Sequence, residues 1–142
     1  MKSASSPLLK AIGARLVAAY SAAGVTCPWS VNPDPARALP YGVLGSDTEN
    51  DAFSSKTTEG ASMTHTLRIY SNSDAQARSL ANIAIADLTD RSNPLTLESD
   101  GETDFYQGGR VVLEMNQIIQ DRDDRGDIYG AAIRFRFWIG QS

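Results

Sequence analysis

Residues 63–70 read Met-Thr-His-Thr-Leu-Arg-Ile-Tyr, with Met63, His65, Leu67 and Ile69 alternating with Thr64, Thr66, Arg68 and Tyr70. Period-two alternation sends successive side chains to opposite faces of a strand, so the first set is expected on the core and the second on a wet or shared face. Ser71-Asn72-Ser73 then turns the chain, and the Ser73 hydroxyl is placed to accept from the Gln76 amide as an N-cap, with the Gln76 side chain reaching back in a capping box. Beyond it Ala77, Leu80, Ala81, Ala84 and Leu88 recur at three- and four-residue steps, the spacing of one helix face. The stretch predicts a strand that delivers a helix onto its own sheet.

Two further segments are periodic. Near the start, Leu9, Ile12, Leu16 and Tyr20 predict a first helix, with Pro7 at its first position, Leu8 and Val17 flanking the stripe, and Gly24 as the stop. Towards the end, Val111, Leu113, Met115 and Ile119 alternate with Arg110, Glu114, Asn116 and Gln120, and Tyr129, Ala131, Ile133, Phe135, Phe137 and Ile139 alternate with Ala132, Arg134, Arg136 and Trp138. Folded symmetrically about Asp124, this hairpin sets Leu113 opposite Phe135 and Met115 opposite Ile133 on the apolar face, with Glu114 opposite Arg134 on the other.

The remaining segments lack a period. Pro28, Pro33, Pro35 and Pro40 limit residues 24–61 to short strands at 25–27 and 41–44, and the polar run 46–60 is expected to be a long loop with Phe53 as its large apolar side chain. After Asn93-Pro94, Leu95-Thr96-Leu97 offers a short edge strand. The element order predicts an α+β fold over residues 1–142: a single domain with an antiparallel-rich sheet, two helices packed on one face and a long C-terminal β-hairpin.

Composition narrows the function. A chain of 142 residues is long enough for one hydrophobic core. Its net charge of -4 argues against a protein whose main work is gripping phosphates. With one cysteine, Cys27, and one histidine, His65, no intrachain disulfide or conventional zinc site is expected, and no metal or cofactor. Lys10 and Arg15 interrupt the apolar pattern of the first helix, so neither a signal-peptide core nor a membrane span is expected, which fits a cytoplasmic start.

Candidate catalytic groups fare poorly. His65 lies on the core parity with no nucleophile or carboxylate patterned beside it, and is expected to be buried and bonded to backbone. Cys27 has no sequence partner that would stabilise a thiolate. Asp121, Asp123, Gly126 and Asp127 fit four positions of a calcium loop, but Arg125 and Ala132 stand where ligands are required, which favours a solvated, charged hairpin tip. Asp47, Glu49 and Asp51 fall on the expected loop, without the rigid scaffold that paired carboxylates need. The chain therefore reads as non-enzymatic. The non-core sheet face (Thr64, Thr66, Arg68, Tyr70, Val112, Glu114, Ile118, Arg134, Arg136 and Trp138) mixes arginine and aromatics with few lysines, a composition nearer to a protein interface than to the wet face antiparallel sheets commonly have.

Pro40-Tyr41-Gly42-Val43-Leu44-Gly45, then a polar run with Lys56-Thr57, then His65-Thr66-Leu67-Arg68-Ile69-Tyr70-Ser71, the alanine-rich helix ending at Leu88 and the closing Ile133-Arg134-Phe135-Arg136-Phe137 together resemble the tail completion or tail terminator proteins of long-tailed bacteriophages and gene transfer agents. The resemblance runs from the first helix to the end of the chain. It implies a structural virion protein: a homo-hexameric ring that ends the tail tube and joins the tail to the head, in contact with copies of itself, the tail tube protein and head-neck connector proteins. DNA would pass through without tight binding, no membrane would be involved, and assembly would occur in the host cytoplasm. A closed ring needs two complementary patches on each copy, and the subunit-interface candidates are the non-core sheet face with Arg68, Tyr70, Arg134, Arg136 and Trp138 and the polar run with Phe53 and Lys56. The alternatives are another phage neck or tail-tube subunit or, from a different class, a small α+β ligand-binding enzyme, which would need convergent polar groups in an apolar pocket.

Overall fold

The computed structural model describes residues 2–32, 37–54, 59–99, 101–123 and 126–141. In chain order these form α1 (Ser5–Ala22), β1 (Trp29–Ser30), β2 (Tyr41–Ser54), β3 (Glu59–Ser71), α2 (Asp74–Leu88), β4 (Phe105–Gln107), β5 (Val112–Asp123) and β6 (Gly126–Gln141). The strands make one sheet in the order β1-β2-β3-β6-β4, with β5 also on β6. All pairings are antiparallel except β1 with β2. The last strand, β6, is central: one edge takes β3, and the other takes β5 along Gly126–Arg136 and β4 along Ile139–Gln141.

Period-two patterning sets the parity of the β3–β6 ladder as expected. Met63 pairs with Phe137, His65 with Phe135, Leu67 with Ile133 and Ile69 with Ala131, and all eight side chains are fully buried. Both helices lie over this face. Helix α2 follows its sequence signal: the Ser73 hydroxyl accepts from the Gln76 amide at 3.1 Å, and Ala77, Leu80, Ala81, Ala84 and Leu88 are buried. The return arm of the capping box is not made, since Gln76 Oε1 has no hydrogen-bond partner. In α1 the buried stripe is Leu8, Ile12, Leu16 and Tyr20, so the expected order of Leu8 and Leu9 is reversed and Val17 is half exposed. Positions 8, 12, 16 and 20 keep a strict four-residue step, which Leu9 does not. The Tyr20 hydroxyl donates to the Leu80 carbonyl at 2.6 Å, and Arg15 pairs with Asp87 at 3.0 Å, so the two helices are tied at both levels.

The expected loop at residues 46–60 is corrected: within it, residues 46–54 continue β2 and residues 59–60 open β3, and residues 55–58 lie outside the described residues. Two irregularities, between Leu44 and Asp47 and between Asp51 and Phe53, shift the parity of β2 and erase the alternation that would have announced a strand. Gly45 makes the first possible, because a Cβ there would lie 2.4 Å from the Thr66 carbonyl oxygen. The acidic positions also have work to do. Asp47 accepts from the Ser5 hydroxyl at 2.6 Å, and Glu49 accepts from the Ala4 amide at 3.0 Å and the Ser3 hydroxyl at 2.6 Å. Two carboxylates thus sit at the positive end of α1.

Three smaller expectations also change. Residues 25–27 and 95–97 are not strands; the short strands are β1 and β4. Leu95 is still buried and its amide donates to Gln107 Oε1 at 3.0 Å, a side-chain bond in place of a ladder. The β5–β6 hairpin starts in the expected register, Leu113 opposite Phe135, but a bulge at Glu114 then sets Met115 opposite Arg134 and Asn116 opposite Ile133. One inserted residue exchanges faces for everything beyond it: Ile118 packs against the core, while Met115 and Ile119 join the open face.

Candidate interaction face

The face of the sheet away from the helices is built from the alternate residues of the same strands. At one end Tyr41 lies beside Tyr70, ring centroids 5.2 Å apart, and the next residue across is Gly130. A Cβ on Gly130 would come 3.2 Å from Ile119 Cγ1 and 2.9 Å from the Ile69 carbonyl, so the bare glycine lets the Ile119 side chain lie down on the sheet. Tyr41, Val43, Ile128 and Ala132 are buried although no helix covers this face.

Arg68 and Arg134 stand exposed in the middle, Arg68 opposite Ala132 and Arg134 opposite Thr66. Neither makes a hydrogen bond or ion pair among the described residues. Arg136 differs: it pairs with Glu114 at 3.1 Å and donates to the Ser62 hydroxyl at 3.2 Å. The expected Glu114–Arg134 facing is thereby corrected, because the bulge aims Glu114 at the neighbouring arginine. Trp138 is half-buried opposite Ser62 at the other end. The structure thus gathers Arg68, Tyr70, Arg134, Arg136 and Trp138 on one face, while the Phe53 side chain and Lys56 lie outside the described residues. Sequence reading missed Tyr41, whose pairing with Tyr70 shows only in the β2–β3 register, and Met115 and Ile119, which the bulge moves.

The groups weighed for chemistry share no common centre among the described residues, although the structure sets Asp47 opposite His65 in the β2–β3 ladder, a carboxylate the sequence pattern did not place beside it. His65 is fully buried, and neither ring nitrogen has a hydrogen-bond partner, so the expected backbone bond is absent. Burial holds its pKa below the ordinary imidazole value, and the nearby Asp47 charge acts in the opposite sense. Burial pushes the Cys27 thiol up to about 12, far from a reactive thiolate. Asp127 is paired with Arg122 at 3.2 Å across the hairpin. No group of three potential metal ligands occurs among the described residues. An open cleft of about 550 Å³ beside the start of α2 is lined by Arg37 and Gln76 but by neither His65 nor Cys27. Among the described residues no helix is long and apolar enough to cross a membrane.

No protein-family model and no curated protein matches the sequence. Among solved structures, the chain is similar to a chain in the virion of a native gene transfer agent particle, with a TM-score of 0.67 and 21% identity over 99% of both chains. The likeness covers helices, sheet and terminal hairpin together. At this identity it speaks to the fold.

Proposed function

We propose that this chain is a structural virion protein that works by contact, a tail terminator whose copies form a ring, most simply a hexamer, at the head-proximal end of a tail tube. The observation that carries the reading is the end-to-end likeness to a chain of a gene transfer agent virion, which agrees with the family resemblance of the sequence motifs. The open sheet face supplies a contact surface: Arg68 and Arg134, unpaired among the described residues, stand with Tyr41, Tyr70 and Trp138 and have the arginine-plus-aromatic chemistry enriched where proteins meet. The partners are further copies of the chain, the tube protein and the head-neck connector. An acidic chain suits a channel that releases DNA, because a lining rich in unpaired cations would hold the phosphates.

The test is genetic and microscopic. Deleting the gene from a producing strain is expected to leave tails of uncontrolled length that fail to join heads, and the purified protein is expected to show rings with open centres in electron micrographs. Absence of tubes in the deletion would instead assign the chain to the tube. Normal, joined tails would refute a virion role.

A further inference from the structure

The sheet has two long free edges, and they are complementary. β5 is 12 residues long and pairs only with β6, so its other side has no backbone partner among the described residues. On the opposite margin β1 covers β2 only at Gly42 and Val43, which leaves β2 without a further backbone partner from Leu44 onward among the described residues. Long free edges expose rows of amides and carbonyls that template pairing with another chain, and soluble proteins usually blunt them with charge, proline or bulges. In β5 such protection lies only at the ends, in the bulge at Glu114 and the charged run Asp121-Arg122-Asp123. Beyond its bulge, Met115-Asn116-Gln117-Ile118-Ile119-Gln120 runs without a charge, a proline or a glycine. Left bare, such a segment favours edge-to-edge aggregation.

Resting on the ring reading above, we propose that β5 of one copy adds to the free edge of β2 in the next, so that the ring is stitched by a continuous antiparallel sheet. The direction follows from the topology. β2, β3, β6 and β5 are successively antiparallel, so β5 runs opposite to β2 across the sheet. Rotation about an axis along the strands then brings β5 against the neighbouring β2 in antiparallel sense. The contact is head-to-tail, the kind that closes into a ring. The two free stretches share a level where β6 holds Ile133 to Arg136 and extend from it in opposite directions. Closed sheets need such a stagger for their strands to tilt. A twofold β5–β5 contact would cover one edge per copy and leave β2 bare, whereas head-to-tail addition covers both.

The test uses the full chain by light scattering and electron microscopy. Gln117→Lys with Gln120→Lys places two cations on the β5 edge, and Ser79→Lys with Asn82→Lys adds the same charge to exposed positions of α2. Loss of the ring in the first pair only, with the melting temperature unchanged, is the expected result. Rings in both pairs would overturn strand addition and leave the ring reading standing. A wild-type protein that stays monomeric, even with tail tubes added, would overturn the ring reading itself, and a wild-type dimer would replace the head-to-tail contact by the twofold one. If the edge variant fails to fold, amide exchange on the wild-type ring decides: β2 and β5 amides should exchange far more slowly than in dissociated subunits, and equal rates at both edges would overturn the inference.

Discussion

The two faces of the β3–β6 ladder share one backbone and differ in almost everything else. On the helix side, Met63, His65, Leu67 and Ile69 meet Phe137, Phe135, Ile133 and Ala131 with no exposed surface. On the other side, Ser62, Thr64, Thr66 and Arg68 meet Trp138, Arg136, Arg134 and Ala132, and Arg68 and Arg134 have no partner among the described residues. The first face is fixed by volume and tolerates little change. The second is less constrained by folding around its exposed arginines, so their presence calls for another explanation, which the contact proposed above would supply.

Substitutions can test that division. The largest effect is expected from Phe135→Ala, which removes a fully buried ring and leaves a cavity, at a cost of about 3–5 kcal/mol in denaturant unfolding. His65 comes next, because it is the polar exception on the covered face. Its folded pKa is lowered by burial, so the unfolded chain takes up a proton that the folded chain does not. Its contribution is therefore fully present above the unfolded value of about 6.5 and declines as the pH falls from there towards the folded value. His65→Leu should flatten that slope in melts between about pH 5 and 7 and, by removing two unpartnered buried nitrogens, raise stability by about 1–3 kcal/mol. An unchanged slope would assign the acid sensitivity elsewhere.

Ser73→Ala should cost about 1 kcal/mol, because the helix laid over the covered face loses its N-cap bond. The smallest change in folding is expected for Arg134→Ala, within about 0.5 kcal/mol of wild type, since an exposed side chain with no partner among the described residues is removed. The same variant should nevertheless weaken assembly when followed by light scattering. A loss comparable to that of Phe135→Ala would mean that the open face is a second core and not a surface kept for contact.

Much of the covered face was legible, because period two in residues 63–70 and the four-residue step in α2 express burial directly. What escaped were insertions of a single residue. The irregularity at Gly45–Ser46 and the bulge at Glu114 reverse parity without any hydrophobic signal, so β2 beyond its expected start at 41–44 read as loop and Met115, Ile118 and Ile119 were assigned to the wrong faces. The glycine was the available clue to the first, since its reason is the Thr66 carbonyl across the ladder. On the open face the residue types were readable but not their partners. Arg134 and Arg136 look alike in sequence, and only the bulge determines which of them Glu114 neutralises.

The position of β6 bears on how the molecule is made. A chain emerges from the ribosome N-terminal end first, and here the strand that joins β3 on one side to β4 and β5 on the other is the last of these elements to appear. Until then β3 has only β2 beside it, and the apolar undersides of both helices lack half of their floor. The fold is therefore completed by its most distant contacts, a topology that slows folding. β5 reaches the sheet only through β6, so a half-made chain has no properly placed β5 edge with which to recruit a neighbour. Under the proposed strand addition, this order delays assembly until β6 is in place.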